Sequence, residues 1–548
     1  AQANQLRMGS KLMEGDSSGG DITFSNSGNV FTTGSGSTGI NIMSLGGGGG
    51  TIFGTSTDTA KFGTLATNLT INANGGDIKV ENKGSFITTT GEAASALVAV
   101  SGGGGGGFIA EIGGDLLGGS NTNGQTSAGD VSLTNLASLT TGGNGAIGLA
   151  AISHGGGHAF VGPITNGEQL ISIGNIGSSD GSAGEVSVVN SGVISTAGAA
   201  SPAILTQSIG GGGVYAPVAS DPDFFWLGNA STNTEGNAGK SISLSTKGNI
   251  TTKGTGSQAI IAQSIGGGGG FLGDITPNKV GKSAALLGSQ GPQGFNKKDT
   301  SAAWNTDWKK IMDDKVAGNS DYFRLLGNLD EVDAMIIKNK SFGIGGGGNA
   351  SSIDLTINAE QYLTQGDNSS VVLAQSIGDG GGWVLLDQGN NYSFLGSIQS
   401  NGGKGGAITV NSETNLFSLG INSPAMVAQS IGGGGGATGD SQKFARLGTL
   451  KGRGDNSAGD VTIKQAGNIS TKGIYSSGVL AQSIGGGGGL VGIVSGALSM
   501  GSLQSVATQT SSSGNVAVSI SGTIQTGGNN SPALVAQSIG GGGGWAAA

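Results

Sequence analysis

Two histidines, His154 and His158, stand three glycines apart, and they are the only two in the chain. Imidazole is the side chain best suited to take up a proton or a metal near neutral pH. The pair is half a site at best. A metal centre needs three or four ligands, no acidic cluster adjoins, and there is no cysteine to supply a thiolate. The alternative reading is two polar substitutions in a degenerate glycine run. Arg453-Gly454-Asp455 matches a short integrin-binding triplet, in a chain rich enough in Gly and Asp for the match to arise by chance. Nucleophilic and metal catalysis have no visible machinery: no cysteine nucleophile, no triad around either histidine, no paired-carboxylate motif. A phosphate cradle needs a lysine after its glycines, and no glycine run supplies one. The expectation is a non-enzyme with no catalytic residues, no metal and no cofactor. The enzymatic alternative is a polysaccharide lyase or hydrolase using Asp, Arg or Lys on one face of a β-solenoid.

The remaining candidates for binding are Trp304 and Trp308. With Ile311 and Met312 they follow helical spacing. Asn328 and Glu331 make a cap pair for a second helix carrying Val332, Met335 and Ile336. Charges are dense between Asp307 and Lys340. Residues 271–342 thus read as a small inserted helical excursion, and loops inserted into repeat folds often carry binding function. The plainer alternative is that the two tryptophans pack the insert against its scaffold.

That scaffold must come from the phrase written most fully at 531–544, Ser-Pro-Ala-Leu-Val-Ala-Gln-Ser-Ile and five glycines. It recurs nine times. Its last residue before the glycines falls at Leu45, Val100, Ile152, Ile209, Ile265, Ile377, Ile431, Ile484 and Ile539, about 52–57 residues apart, with one gap of about twice that. A fixed period of this length marks a repeat architecture.

Each unit opens with apolar residues two apart, as in Ile22/Phe24, Ile78/Val80 and Val131/Leu133, which is strand periodicity. A second short strand carries one anchor, such as Val30, Leu139 or Ile194. The third strand is the phrase itself, apolar on both faces, and should be covered on both sides. A weaker Leu-Gly or Ile-Gly mark follows each glycine run, as at Leu117-Gly118, Ile173-Gly174 and Leu227-Gly228. Short strands at a long period predict an all-β fold: a parallel β-helix, or β-solenoid, of about nine units of about 55 residues with one small helical insertion. At roughly 20–25 residues per coil, each unit would make two to three coils and the rod would be about 100 Å long. The expected divisions are a loose or capping segment at 1–18, solenoid units one to five at 19–270, the insert at 271–342, and units six to nine at 343–548.

Asn26, Asn82, Asn135 and Asn190 close the first strand of four successive units. They either stack into an amide ladder or share a turn role. The glycine runs are either hinges or an extended backbone packed flat on the small Ala and Ser side chains. The packed reading is favoured, because flexible linkers usually mix in serine and vary in length.

Composition narrows the partners. Glycine supplies 115 of 548 residues with only eight prolines and no Gly-X-Y period, which excludes collagen. A thinly spread net charge of −9 argues against a nucleic-acid surface. No run of 18 apolar residues exists to span a membrane as a helix, and the sequence does not open on a secretory leader, as expected of a mature or trimmed chain from which one has been cleaved.

The Ala-Gln-Ser-Ile phrase with its five glycines, at 262–270, 428–436, 481–489 and 536–544, resembles the glycine-rich repeats of bacterial autotransporter (type V secreted) passenger domains. The resemblance covers most of 19–548 and departs at 271–342. It implies a β-helical passenger exported through the outer membrane by a C-terminal β-barrel, which is not in this chain. It also implies extracellular display at the bacterial surface as an adhesin that meets host cells, other bacterial cells, abiotic surfaces or a glycan. Self-association into a filament or matrix is the second possibility. The lack of cysteine suits a chain threaded through an oxidising periplasm.

Overall fold

The computed structural model describes residues 5–8 and 16–547, apart from 53–58, 63–71, 110–114, 119–124, 162–169, 174–180, 217–218, 221–223, 228–236, 277–281, 288–346, 387–389, 440–441, 502–503, 506–509 and single residues at 398, 401, 450 and 453. Among the described residues every element is a β-strand. The strands stack in parallel on their counterparts in the neighbouring units, forming a β-helical solenoid.

Register settles how the chain climbs. Ile22 pairs with Ile78, and Ile78 with Val131, so one repeat of about 55 residues makes a single coil. This corrects the expectation of two to three coils per unit. Nine coils at the usual strand spacing rise about 40 Å rather than about 100 Å. The long circuit follows from the number of strands in it. The first three ladders run from Ile22–Asn26 to Val516–Ile520, from Val30–Thr32 to Ile524–Thr526, and from Ile40–Leu45 to Leu534–Ile539. A fourth, made from the ends of the glycine runs, runs from Gly49–Ile52 to Gly543–Ala547. The fifth contains the Leu-Gly marks and merges with the fourth in the long strand Gly488–Met500, which pairs with both Gly435–Thr438 and Gln442–Leu447.

The third ladder is the middle layer, as its two apolar faces required. On one side, Leu97, Ala99, Leu149, Ile204 and their counterparts join the inward residues of the first two ladders in one continuous core. On the other, Val98, Leu205, Ile261 and Leu373 pack against side chains of the fourth ladder. The last residue of the strand forms a separate column, Ile209, Ile265, Ile377, Ile431 and Ile484. Each such aliphatic side chain contributes roughly 1.5–3 kcal/mol by leaving water.

Several boundaries move. In the second and third coils, Gly102 and His154, not Val100 and Ile152, hold the register position of the isoleucine column. In the fifth ladder of the second coil, Gly118 rather than Leu117 takes the leucine position, opposite Ile173. The opening segment, expected loose or capping, contributes strand Gln5–Met8, paired with Thr59–Phe62. The departure expected from 271 sets in later, because Gly269–Thr276 and Lys282–Leu287 still pair with coils on both sides. The two helices expected further on fall at 288–346, outside the described residues.

The glycine runs are packed. In the first coil and again from the fifth coil onward, two consecutive glycines of the fourth-ladder strand have strongly positive φ, as at Gly381 (148°) and Gly382 (138°). In that mirror-image extended backbone a side chain would lie in the plane of the sheet. A Cβ on Gly381 would come within 1.8 Å of the Gly435 carbonyl oxygen above it, and one on Gly382 within 2.1 Å of the Gly270 carbonyl below. Only glycine tolerates this conformation and this approach together.

Candidate functional site

The sequence motifs with possible chemistry fare differently. Trp304 and Trp308 lie outside the described residues, as does Arg453. Asp455 is described, and its carboxylate is engaged. One oxygen accepts the Ser457 amide at 3.0 Å, and the other meets the Lys404 ammonium at 2.8 Å. Partial burial pushes its pKa up, but the bonds from Lys404 and Ser457 outweigh this and hold it at about 2. Among the described residues no three His, Cys, Asp or Glu side chains gather to hold a metal ion.

His154 and His158 are both fully buried, and their rings face each other with Nδ1 to Nδ1 at 3.0 Å. They fit because the neighbouring coils offer glycine. A Cβ on Gly213 would lie 2.4 Å from the His154 ring, and one on Gly106 would lie 2.7 Å from His158 Cβ. Burial drives both pKa values down, that of His158 to about 3, with the second imidazole adding to the effect on His154. The pair is therefore neutral at pH 7, and each Nδ1 is spent on the other.

His154 Nε2 lies 3.2 Å from Gln207 Oε1, and there a feature begins that the sequence reading passed over. The glutamine of the repeated phrase is buried and bonds to its equivalent in the next coil. Gln207 donates to Gln263 at 2.7 Å, Gln263 to Gln375 at 2.9 Å, Gln375 to Gln429 at 2.8 Å, Gln429 to Gln482 at 2.7 Å and Gln482 to Gln537 at 2.6 Å. The next residue, serine, stitches each third strand to the opening turns of two coils. Ser101 Oγ donates to the Gly76 carbonyl at 2.9 Å and accepts from the Gly129 amide at 2.8 Å. The recurrence of Gln-Ser in six units was the available signal.

Of the two readings of the asparagines, the amide ladder is present. Asn26 donates to Asn82, Asn82 to Asn135 and Asn135 to Asn190 at 2.7–2.8 Å, and Asn190 to Thr246 Oγ1 at 3.3 Å. The turn role is real as well, since Asn135 and Asn190 also donate to carbonyls two residues on. An aromatic column was not anticipated. Phe108, Phe160, Tyr215 and Phe271 stack with centroids 4.9–5.3 Å apart, and Trp383 takes the next register position. All sit one to three residues past the glycines, where an aromatic recurs in otherwise variable sequence.

The outer surface offers a different kind of site. Among the described residues of coils one to four, the large apolar side chains left exposed are Phe31 (63 %), Phe86 (40 %), Leu136 (50 %), Val189 (43 %) and Val193 (51 %). All stand on the first and second strands or the corner between them. In the fifth to seventh coils that corner carries Lys247 and Asn249, Asn358 and Glu360, then Glu413 and Asn415. No family model matches the chain, and neither a curated protein nor a solved structure matches it.

Proposed function

We propose that the chain is an adhesive rod of the bacterial autotransporter passenger type, exported to the cell surface, which attaches to cells or surfaces through its first four coils. The observation that carries this reading is the set of outward apolar side chains Phe31, Phe86, Leu136, Val189 and Val193, gathered on the first and second strands and the corner between them among the described residues of those coils. Apolar side chains gathered on one side of a soluble scaffold mark contact surfaces more often than chance exposure does. A rigid scaffold suits the task, because each coil is stable through its neighbours and its outer face is free to vary. The repeated Ala-Gln-Ser-Ile phrase and the lack of cysteine support export by the type V route.

The test is attachment of the purified chain to cell monolayers, a glycan array and hydrophobic and hydrophilic plastics. Phe31→Ser with Phe86→Ser should lower attachment severalfold without changing thermal unfolding. Unchanged attachment by that variant, with loss on deletion of 288–346, would move the binding function to the insert. Concentration-dependent assembly without attachment would favour the filament reading.

A further inference from the structure

We propose that the His154–His158 pair is an acid-sensitive latch, and that proton uptake by it opens the packing of the third coil's glycine run and strand His158–Val161 while distant coils stay closed.

Hydrogen-bond direction fixes where the protons sit. An amide oxygen only accepts, so the 3.2 Å contact with Gln207 Oε1 places a proton on His154 Nε2. A neutral His154 then has a bare Nδ1, and the 3.0 Å contact between the two Nδ1 atoms takes its proton from His158. His158 Nε2 is left as a bare nitrogen, buried and without a hydrogen-bond partner. Reversing this order would require Gln207 to turn its amide. Its Nε2 already donates to Gln263 at the head of a file of amides that all point the same way. The glutamine ladder thus fixes the tautomer of both histidines, and the added proton has one vacant position, His158 Nε2.

Among the described residues no acceptor or anion meets His158 Nε2; the hydrogen bonds that favour a charged imidazole, with Gln207 and the Gly213 backbone, act on His154 and are outweighed by its burial. The groups facing the rings are Gly102 and Gly106 from the second coil and Gln207, Ile209 and Gly213 from the fourth, none of them titratable. The one charge that acts on His154 is His158 itself. A buried cation with neither counter-charge nor acceptor is unstable, and the structure opens to hydrate it. The weakest point is the bend at 155–157, where Gly156 and Gly157 have φ of 76° and 123° and glycine loses the most freedom on ordering. Five backbone bonds secure the place and would have to give: Gly155 to the Ile209 carbonyl at 2.9 Å, Gly156 to Thr126 at 2.9 Å, Gly157 to Gly103 at 2.8 Å, His158 to Gly105 at 3.0 Å and Gly213 to Gly157 at 3.1 Å.

The direction with pH follows. Above about pH 6.5 neither the closed nor the opened state holds the extra proton, and opening is independent of pH. Below it the opened imidazoles, at their ordinary value, bind protons that the closed pair refuses down to about pH 3. Between pH 7.5 and 4 the opening equilibrium should rise about 300-fold for each imidazole released.

Hydrogen–deuterium exchange read by mass spectrometry on the whole chain tests this. After correction for intrinsic rates, peptides covering 155–161 should lose protection by at least about 100-fold between pH 7.5 and 4, while those covering 435–438 in the seventh coil keep theirs. His154→Ile with His158→Gly, which places the residues of the later coils in this one, should abolish the difference. Equal pH dependence in both coils, or its persistence in the double variant, overturns the proposal. If that variant does not fold, the imidazole NMR signals of the native chain decide: titration near pH 6.5 with undiminished protection would also overturn it.

Discussion

The first four coils and the last five solve the same packing problem with different side chains. In coils one to four, a buried polar file of asparagines runs along the first ladder, and the glutamine position of the first three holds Met43, Val100 and Ile152. From the fourth coil onward the file moves to the third ladder as glutamine, and the asparagine position passes to Thr246, Ile357, Ser412, Gln465 and Ile520. The two files overlap in one coil, at Asn190 and Gln207. The fourth ladder changes nearly in step. His158, Ala159 and Val214 occupy positions held elsewhere by glycine, in coils where the strand has ordinary negative φ. From the fifth coil the mirror-image backbone returns, and no side chain is accommodated. The solenoid therefore tolerates side chains in its glycine layer only where the backbone leaves room for them, and aromatic stacking is densest there.

The largest effect should come from exchanging this rule between the halves. Gly382→Ala puts a methyl where Ala159 already stands in the third coil, but at φ 138° and 2.1 Å from the Gly270 carbonyl. We expect a loss of about 4–5 kcal/mol or failure to fold. Ala159→Gly should cost only about 0.5–1 kcal/mol. Equal costs in chemical denaturation would break the distinction between the halves.

Next in size is the glutamine file. Gln375→Leu leaves the Gln263 donor and the Gln429 acceptor buried and unmet, for about 2–4 kcal/mol. Asn135→Leu should cost a similar amount in the other half, through Asn82 and Asn190. A leucine at Gln375 that is tolerated within about 0.5 kcal/mol would mean that the amides merely fill space.

The architecture was legible because its signals repeat. Alternating Ile22/Phe24-type pairs and the doubly apolar third strand announced the ladders and their layer order, and Asn26 to Asn190 marked either a file of amides or a shared turn. Coil length was not legible. Composition gives strands and corners but not how many corners close one turn, and the fourth and fifth strands lie in stretches such as Phe224–Leu227 with little alternation to mark them. Register in coils two and three was misread because Gly102 and His154 replace the isoleucine that marks the end of the strand. The histidine pair looked like noise in a glycine run, since its partners, Gln207 and Gly213, are more than fifty residues away in sequence. Exposure of Phe31 and Phe86 could not be read from residue type, as phenylalanine more often signals a core.

Smaller effects sharpen the contrast further. Tyr215 donates to the Ala200 carbonyl at 2.8 Å from within the aromatic column, and burial holds its pKa well above the usual phenol value. Tyr215→Phe keeps the stacking and removes the bond, so denaturation should register a loss of about 1 kcal/mol. Tyr215→Ala should lose about 3–5 kcal/mol, and near-equal losses would mean that the hydroxyl, not the ring column, ties the fourth coil together.

The smallest expected change in stability separates the halves by function. Phe31→Ser and Phe86→Ser alter exposed side chains and should shift unfolding by no more than about 0.5 kcal/mol. Ile421→Ser and Ile474→Ser, at the corner between the second and third strands of the seventh and eighth coils, should be equally mild. In attachment assays the first pair should weaken binding severalfold and the second leave it unchanged, because apolar exposure on the first and second strands belongs to coils one to four. Equal loss from both pairs would make general surface hydrophobicity the cause, and the first four coils would have no special claim to the adhesive face.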